Sequence, residues 1–600
     1  MATRKKTPER SEIRPEDTWD LSPLFENDEE WEKRLHDLEG VVEKIAEFQG
    51  TLGESAARLA ACLRYEIWLD EEGERLGSYA FLRQSEDVRS AKAQGMVARF
   101  THFATRVNEA ASYIAPEIQA IPEDRMAQFL ADPELEDLRF MLEKLLRLKP
   151  HILSEPEERI LAMQGEVAGT ASKVFGQLTD ADMEFGYVTN EKGEEIELTQ
   201  SSLSSLYESR ERRVRKEAFD KFYAEFDAHK NTLAASLGSS VLQDIYQARA
   251  RHYPSAREAA LFADNVPVTV YDNLIQTVRD NLDVVYRYLD IRRRALALDD
   301  IHIYDCYVPI VHLGDVDVPY DDAARQIAEA LAPLGDEYCS TLAKGLTGRW
   351  VDRYENEGKR SGAFSAGTYK SPPYILMNYR NDTLNSVFTL AHEAGHSMHT
   401  YYSARNQPYQ YYNYTIFVAE VASTFNEQLL NSYLIEQADD DKKRAYLINR
   451  EIDEIRGTLV RQTMFAEFEK VIHEIAEAGD PLTLEELRGE YEKLLEVYFG
   501  EGFALDELLP LEGLRIPHFY RAFYVYKYAT GLSAAIALAE RVMKGGAAER
   551  EQYLAFLKGG GSKYPLDLLR DAGVDMEKPE PVATAMARLR HLVEELDALV

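Results

Sequence analysis

Three cysteines, Cys62, Cys306 and Cys339, stand in 600 residues. They cannot all pair, and no CxxC motif is present. The thiols are therefore expected to be reduced and structural, as in the cytoplasm. No apolar run reaches the roughly 18 residues that cross a bilayer, so no membrane span is predicted. The first residues, MATRKKTPERSEIRPED, lack an apolar core, so no signal peptide is expected and the chain is assigned to the cytoplasm. Positive charge is short: 69 Lys and Arg against 104 Asp and Glu leave −35. Phosphate backbones and anionic membranes need a basic surface, so nucleic-acid and membrane partners are disfavoured. No internal repeat or low-complexity array is evident.

Histidine is also scarce, at 13 residues, which makes one pattern informative. His392-Glu393-Ala394-Gly395-His396 reads HExxH. Chance supplies below roughly 0.05 matches to this pattern in a chain of such composition. Residues four apart share a helix face, so His392 and His396 can grip one zinc ion while Glu393 reaches a water as general base. The alternative is a solvated helix face that happens to carry two histidines. Leu384 to Arg405 contains no proline and is rich in helix formers. Asp382 or Thr383 can cap its start, and Pro408 lies just beyond its end. Val387, Leu390, Ala391 and Ala394 line an apolar stripe, where unpaired imidazoles are costly. Gly395 costs about 1 kcal/mol against alanine in mid-helix, which a close approach by another chain segment would explain. His399 continues the stripe as a hydrogen-bonded core histidine beside the ligands, with a ligand role as the alternative.

A catalytic zinc site needs a third protein ligand. Glu420 is the best candidate, in the apolar segment Thr415–Glu427 that reads as a second helix. Glu427 falls on the same face, placed to hold a ligand histidine from behind. Two exposed acids on an amphipathic helix are the alternative.

The rest of the chain reads as mainly helical. Residues 1–16 are expected to form a disordered tail, 17–200 a helical region ending in a hairpin at 183–199, and 201–600 the catalytic region. The stretch 301–318 is expected to be extended, with Asp305 and Asp315 as turn or cap residues. Residues 374–379 read as a short strand before the zinc helix, paired with 361–365. An edge strand beside a metal can bind a substrate backbone, which nominates Ala363 and Phe364; a plain structural hairpin is the alternative.

Several separated segments together resemble oligoendopeptidase F, of the thimet oligopeptidase and neurolysin family of zinc peptidases. They are Trp19-Asp20-Leu21-Ser22-Pro23-Leu24-Phe25, Gly358–Ser365, Pro373–Tyr379, the HEAGH helix, Glu420 in EVASTFNE, His518–Tyr528 and Gly560–Pro565. The resemblance implies a mainly α-helical, two-lobed fold with a deep channel and a small β element near one zinc ion. It implies His392, His396 and Glu420 as ligands, Glu393 as base, and endopeptidase action on oligopeptides. It also implies that His518 and tyrosines after it hold the substrate and polarise its carbonyl. Tyr524 and Tyr528 share a face if the segment is helical. Tyr526 is assigned to substrate binding, with aromatic core packing as the alternative.

Overall fold

The computed structural model describes residues 6–314 and 316–600, Glu166 by its backbone alone. The chain is mainly α-helical. The helices that carry its candidate residues are α1 (Ala56–Glu86), α2 (Arg212–Ala250), α3 (Leu384–Asn406), α4 (Ile416–Glu436), α5 (Asp441–Ile455), α6 (Arg461–Ala478) and α7 (Tyr526–Lys544). Five short strands accompany them: β1 (Tyr187–Thr189), β2 (Glu195–Glu197), β3 (Val351–Asp352), β4 (Phe364–Ala366) and β5 (Tyr374–Leu376).

The chain divides into two compact units. One comprises the described residues of 1–150, 315–433 and 538–573; the other comprises 151–314, 434–537 and 574–600. These units are discontinuous and do not follow the expected division at residue 200. Local periodicity reports elements, whereas the units depend on which distant segments pack together.

In the first unit, Ser55 caps α1 by accepting the Arg58 N–H at 3.1 Å. Leu59, Leu63, Leu69, Leu76 and Leu82 of that helix are buried. The Trp19–Phe25 segment anchors this core. Trp19 is buried, donates its indole N–H to Glu86 at 2.8 Å, and meets Tyr374 of β5 edge-on at 6.2 Å. The core thereby reaches the sheet. That sheet has the order β3-β5-β4, with β5 parallel to β3 and antiparallel to β4. The β4–β5 pairing matches the expected hairpin. The two-residue β3 was not expected, since its pairing is non-local and too short to leave a pattern.

In the second unit, α2 buries Phe219, Phe222, Tyr223 and Phe226. Phe185 stacks on Phe222 at 4.6 Å, at the foot of the expected hairpin, whose strands β1 and β2 pair antiparallel. Asn190 accepts the Lys192 and Glu194 N–H groups, and Gly193 takes φ +80°, which glycine adopts without strain.

Two expectations need correction. The stretch 301–318 holds a 3-10 turn at Ile303–Asp305, with no strand among its described residues. Asp305 does cap that turn, accepting the His302 N–H at 3.1 Å; Asp315 lies outside the described residues. The tail is ordered from residue 6, with turns at Arg10–Glu12 and Pro15–Asp17; residues 1–5 lie outside the described residues. Its charge finds a buried partner, because Arg10 donates to Asp352 at 2.8 Å and Lys359 meets the same fully buried carboxylate at 2.6 Å. All three cysteines are free thiols, and no helix among the described residues is long and apolar enough to cross a membrane.

Candidate active site

Helix α3 starts at the Thr383 cap, whose hydroxyl accepts the Asn385 N–H at 3.2 Å, and ends before Pro408. His392 and His396 lie on one face with ring centroids 4.9 Å apart. Helix α4 packs against that face at Gly395. A Cβ on Gly395 would lie 2.5 Å from the Ala422 carbonyl oxygen and 2.6 Å from Ser423 Cα. The glycine therefore admits the second helix, as its place in the motif suggests. This contact brings Glu420 Oε2 to 3.3 Å from His392 Nε2 and 3.5 Å from His396 Nε2.

These separations bear on whether a metal fits. Zinc at about 2.0–2.1 Å from each of its tetrahedral N and O ligands spaces those atoms about 3.4 Å apart. The spacings of 3.3 and 3.5 Å bracket that value, and all three ligand atoms lie within 4.8 Å of one another. Two imidazoles and a carboxylate suit zinc chemically. Behind them, Ser423 Oγ donates to Glu420 Oε2 at 3.0 Å, and His392 Nδ1 lies 3.4 Å from Glu427 Oε1. Glu427 thus stands against Nδ1, with Nε2 of the same imidazole turned to the ligand cluster.

The electrostatics run the same way. Burial works against a charge on His392, but Glu420 and Glu427 overcome it and carry its titration up to about 10. Glu420, also against burial, is held far below the usual carboxylate range by the two histidines. The cluster is organised around positive charge, which a divalent cation can supply. Burial pushes the Glu393 carboxyl up, opposed by His392 and His396 and by the Ser365 N–H that reaches it.

Ser365 can do so because of strand geometry. Ile375 donates to the Trp350 oxygen at 2.9 Å and Met377 to the Asp352 oxygen at 2.8 Å, both towards β3. Tyr374 and Leu376 then turn their polar groups to β4, where their partners are Ala366 and Phe364. The N–H and C=O of Ser365 point to the open edge of the sheet. Ala363, two residues earlier, shares that side. Phe364 does not. Its ring packs on Phe81 at 5.3 Å and Trp19 at 6.4 Å, so the expected substrate contact of Phe364 is corrected to a core contact.

His399 is a core histidine, as the first of its two readings has it, though without a hydrogen bond at Nδ1. It is buried and stacks on Tyr414 at 3.6 Å and 5°, with its Nδ1 unpartnered. Burial drives its titration down to about 3, so it packs as a neutral ring rather than holding a ligand in place. Tyr414 in turn donates to the His396 carbonyl oxygen at 3.4 Å. Sequence reasoning missed Tyr414, Ser365 and Ser423. Only Ser423 left a trace, three residues after Glu420 on a helix. His473-Glu474-Ile475-Ala476-Glu477 lacks only the second histidine of an HExxH pattern, and its His473 is core: Nδ1 lies 2.7 Å from the Glu469 carbonyl oxygen.

In the second unit, His518, Tyr524 and Tyr528 form one ring cluster. Centroids lie 6.2 Å apart for His518–Tyr524, 6.0 Å for His518–Tyr528 and 5.4 Å for Tyr524–Tyr528. Burial and Arg521 hold the His518 imidazole below its ordinary value. Helix α7 begins only at Tyr526, so Tyr524 reaches the cluster from the preceding turn, where Phe523 takes φ +56°. Tyr526 points away and is fully buried, 5.2 Å from Tyr271. Its expected substrate role is corrected to core packing.

The model of peptidase family M3 matches residues 205–588, and one described as oligopeptidase F matches 117–185. The chain is 44% identical to oligopeptidase PepF of Bacillus subtilis (strain 168) over 604 residues, covering 100% of this chain and 90% of that one. It is 40% identical to an oligoendopeptidase F homolog of Borreliella burgdorferi, covering 98% and 99%. Among solved structures, oligoendopeptidase-F from Enterococcus faecium superposes with TM-score 0.73 at 33% identity, covering 95% of this chain and 99% of that one.

Proposed function

The chain belongs to peptidase family M3 and is a metalloendopeptidase of the oligoendopeptidase F type; from that premise we propose that it uses one zinc ion per chain to cut internal bonds of short oligopeptides. The convergence of His392, His396 and Glu420 carries this reading. His392 and His396 would hold the metal through Nε2, and Glu420 through Oε2. Bound zinc supplies Lewis acidity towards water and the scissile carbonyl.

The chain's own residues do the rest. Glu393 takes a proton from the attacking water and returns it to the leaving amine. Burial raises its carboxyl, and the Ser365 N–H orients it. Glu427 holds His392 in the required tautomer. The open edge of β4, at Ala363 and Ser365, offers backbone groups that a peptide can pair with as an added strand. His518, Tyr524 and Tyr528 are proposed as donors to the oxyanion, supported by the resemblance and by their mutual packing. The three free thiols support a reducing compartment, and we place the protein in the cytoplasm on that ground.

Digestion of a mixed peptide library, with and without chelator and read by mass spectrometry, tests the proposal. Peptides acetylated and amidated at their ends should still be cut, and chelator should stop the cutting. Cleavage restricted to free termini would make the enzyme an exopeptidase.

A further inference from the structure

One cluster in the second unit gathers more guanidinium than carboxylate charge, although the chain as a whole carries −35. Four guanidinium groups there, on Arg292, Arg456, Arg461 and Arg515, lean on two carboxylates. Asp453 takes Arg456 at 3.3 Å and Arg292 at 3.7 Å. Glu512 takes Arg461 at 2.6 Å and Arg515 at 3.6 Å. Both carboxylates are shared further, since Asp453 also accepts from Tyr288 and Asn449, and Glu512 from Tyr491. Asp305, nearby in the same unit, is itself shared by Arg212 and Arg215.

Local structure concentrates this excess. Between α5 and α6 the chain makes a π turn, Arg456–Val460, closed by the Arg461 N–H donating to the Arg456 carbonyl oxygen. In an α-helix residues five apart diverge; a turn closed at i→i+5 brings Arg456 and Arg461 to one side. Tyr307 stands against them. The Arg456 guanidinium lies 5.5 Å from its ring centroid, and Arg461 and Arg515 are within electrostatic reach of it. Tyr207 stacks on Tyr307 at 5.7 Å. The Tyr207 residue is 6% exposed, and its hydroxyl has no hydrogen-bond partner; the Arg515 Nε is buried and likewise unpartnered. Burial keeps the Tyr207 phenol protonated, hence a donor. Tyr307 itself is 42% exposed.

A buried donor without a partner is rare, and buried guanidinium charge in excess of carboxylate is costly. Water satisfies the donors but leaves the charge. A small anion satisfies both. We propose that Tyr207, Tyr307, Arg456 and Arg515 form a binding site for a small monovalent anion, either a halide or a carboxylate group. This assignment is independent of the peptidase reading.

The test is thermal unfolding of the full-length protein as sodium chloride replaces sodium methanesulfonate at constant ionic strength, with sodium acetate in a parallel series. The wild type should show a saturable rise in Tm, as a ligand of the folded state produces. Tyr207→Phe removes only an unpartnered hydroxyl, so its Tm in methanesulfonate should not fall below wild type. Its half-saturating anion concentration should rise by about tenfold, the usual consequence of losing one hydrogen bond to a charged group. A larger response to acetate than to chloride would identify the occupant as a carboxylate, and the reverse as a halide. Absence of a saturable shift with both salts, or equal half-saturation in wild type and Tyr207→Phe, would overturn the proposal.

Discussion

Gly395 costs its helix about 1 kcal/mol against alanine, yet a Cβ there would press on the Ala422 carbonyl oxygen at 2.5 Å. Two effects of opposite sign meet at this position. Propensity favours Gly395→Ala by about 1 kcal/mol; overpacking against a backbone that cannot yield costs about 1–3 kcal/mol. Packing should win. The variant is expected to lower Tm and to weaken zinc binding, because α4 carries Glu420, and calorimetry with metal analysis checks both. Glu393→Gln keeps the shape of the base and removes its basicity. Zinc content should stay at wild-type level while turnover falls by at least about 10²-fold; near-normal turnover would remove Glu393 from the mechanism. In the second unit, Tyr524→Phe, Tyr528→Phe or His518→Ala should lower kcat by about 10²–10³-fold, with a smaller change in KM, as loss of a transition-state donor does. Tyr526→Phe should leave kcat near wild type, since that ring is buried against Tyr271. Steady-state kinetics on one peptide separates the four. A crippled Tyr526→Phe beside three active variants would reverse the assignment.

At the scale of elements, α1 carries a second set of unusual carboxyls. Burial raises Glu66 and Glu74 to about 7, and the same effect raises Asp70, all on one face of the helix. A carboxyl whose folded pKa exceeds its unfolded value, about 4.3 for glutamate, favours folding while it is protonated. That contribution is intact below the unfolded pKa and is lost as pH rises through the folded one. Stability from this face should therefore decline between roughly pH 4.3 and 7. Glu66→Gln should raise Tm relative to wild type at pH 8 and converge with it near pH 4.5; a difference independent of pH would contradict the shift. Elements were legible where the signal was local. Helix α3 was readable from its apolar stripe, its Thr383 cap and Pro408, and α4 from its run of apolar residues around Glu420. The pairing of β4 with β5 followed from two short apolar stretches on either side of a turn. The β3 strand, the order imposed on the tail by Asp352, and the rotation of Phe364 into the core were not readable, because each depends on a partner far along the chain. The pattern placed Tyr524 and Tyr528 together for a helical reason. The structure brings them together although Tyr524 lies outside the helix.

For the whole molecule, the family carries the expectation about substrate, and the interleaved units show why domain boundaries could not be read from composition. The chain enters each compact unit three times, while the two family models end at 185 and begin at 205. Membership of an oligopeptidase family leads to a prediction about substrate size. Short unstructured peptides should be cut internally, and native globular proteins should survive, because their unfolding costs about 5–15 kcal/mol before a bond is exposed. Incubating both with the enzyme and examining the products by mass spectrometry checks this. The most direct test of the central claim is a zinc titration of the chelator-stripped protein, with cleavage of an acetylated and amidated peptide as the readout. The account predicts no cleavage without metal, recovery that saturates at one zinc per chain, and a cut at an internal bond. Undiminished cleavage by protein in which mass spectrometry finds no metal would contradict it.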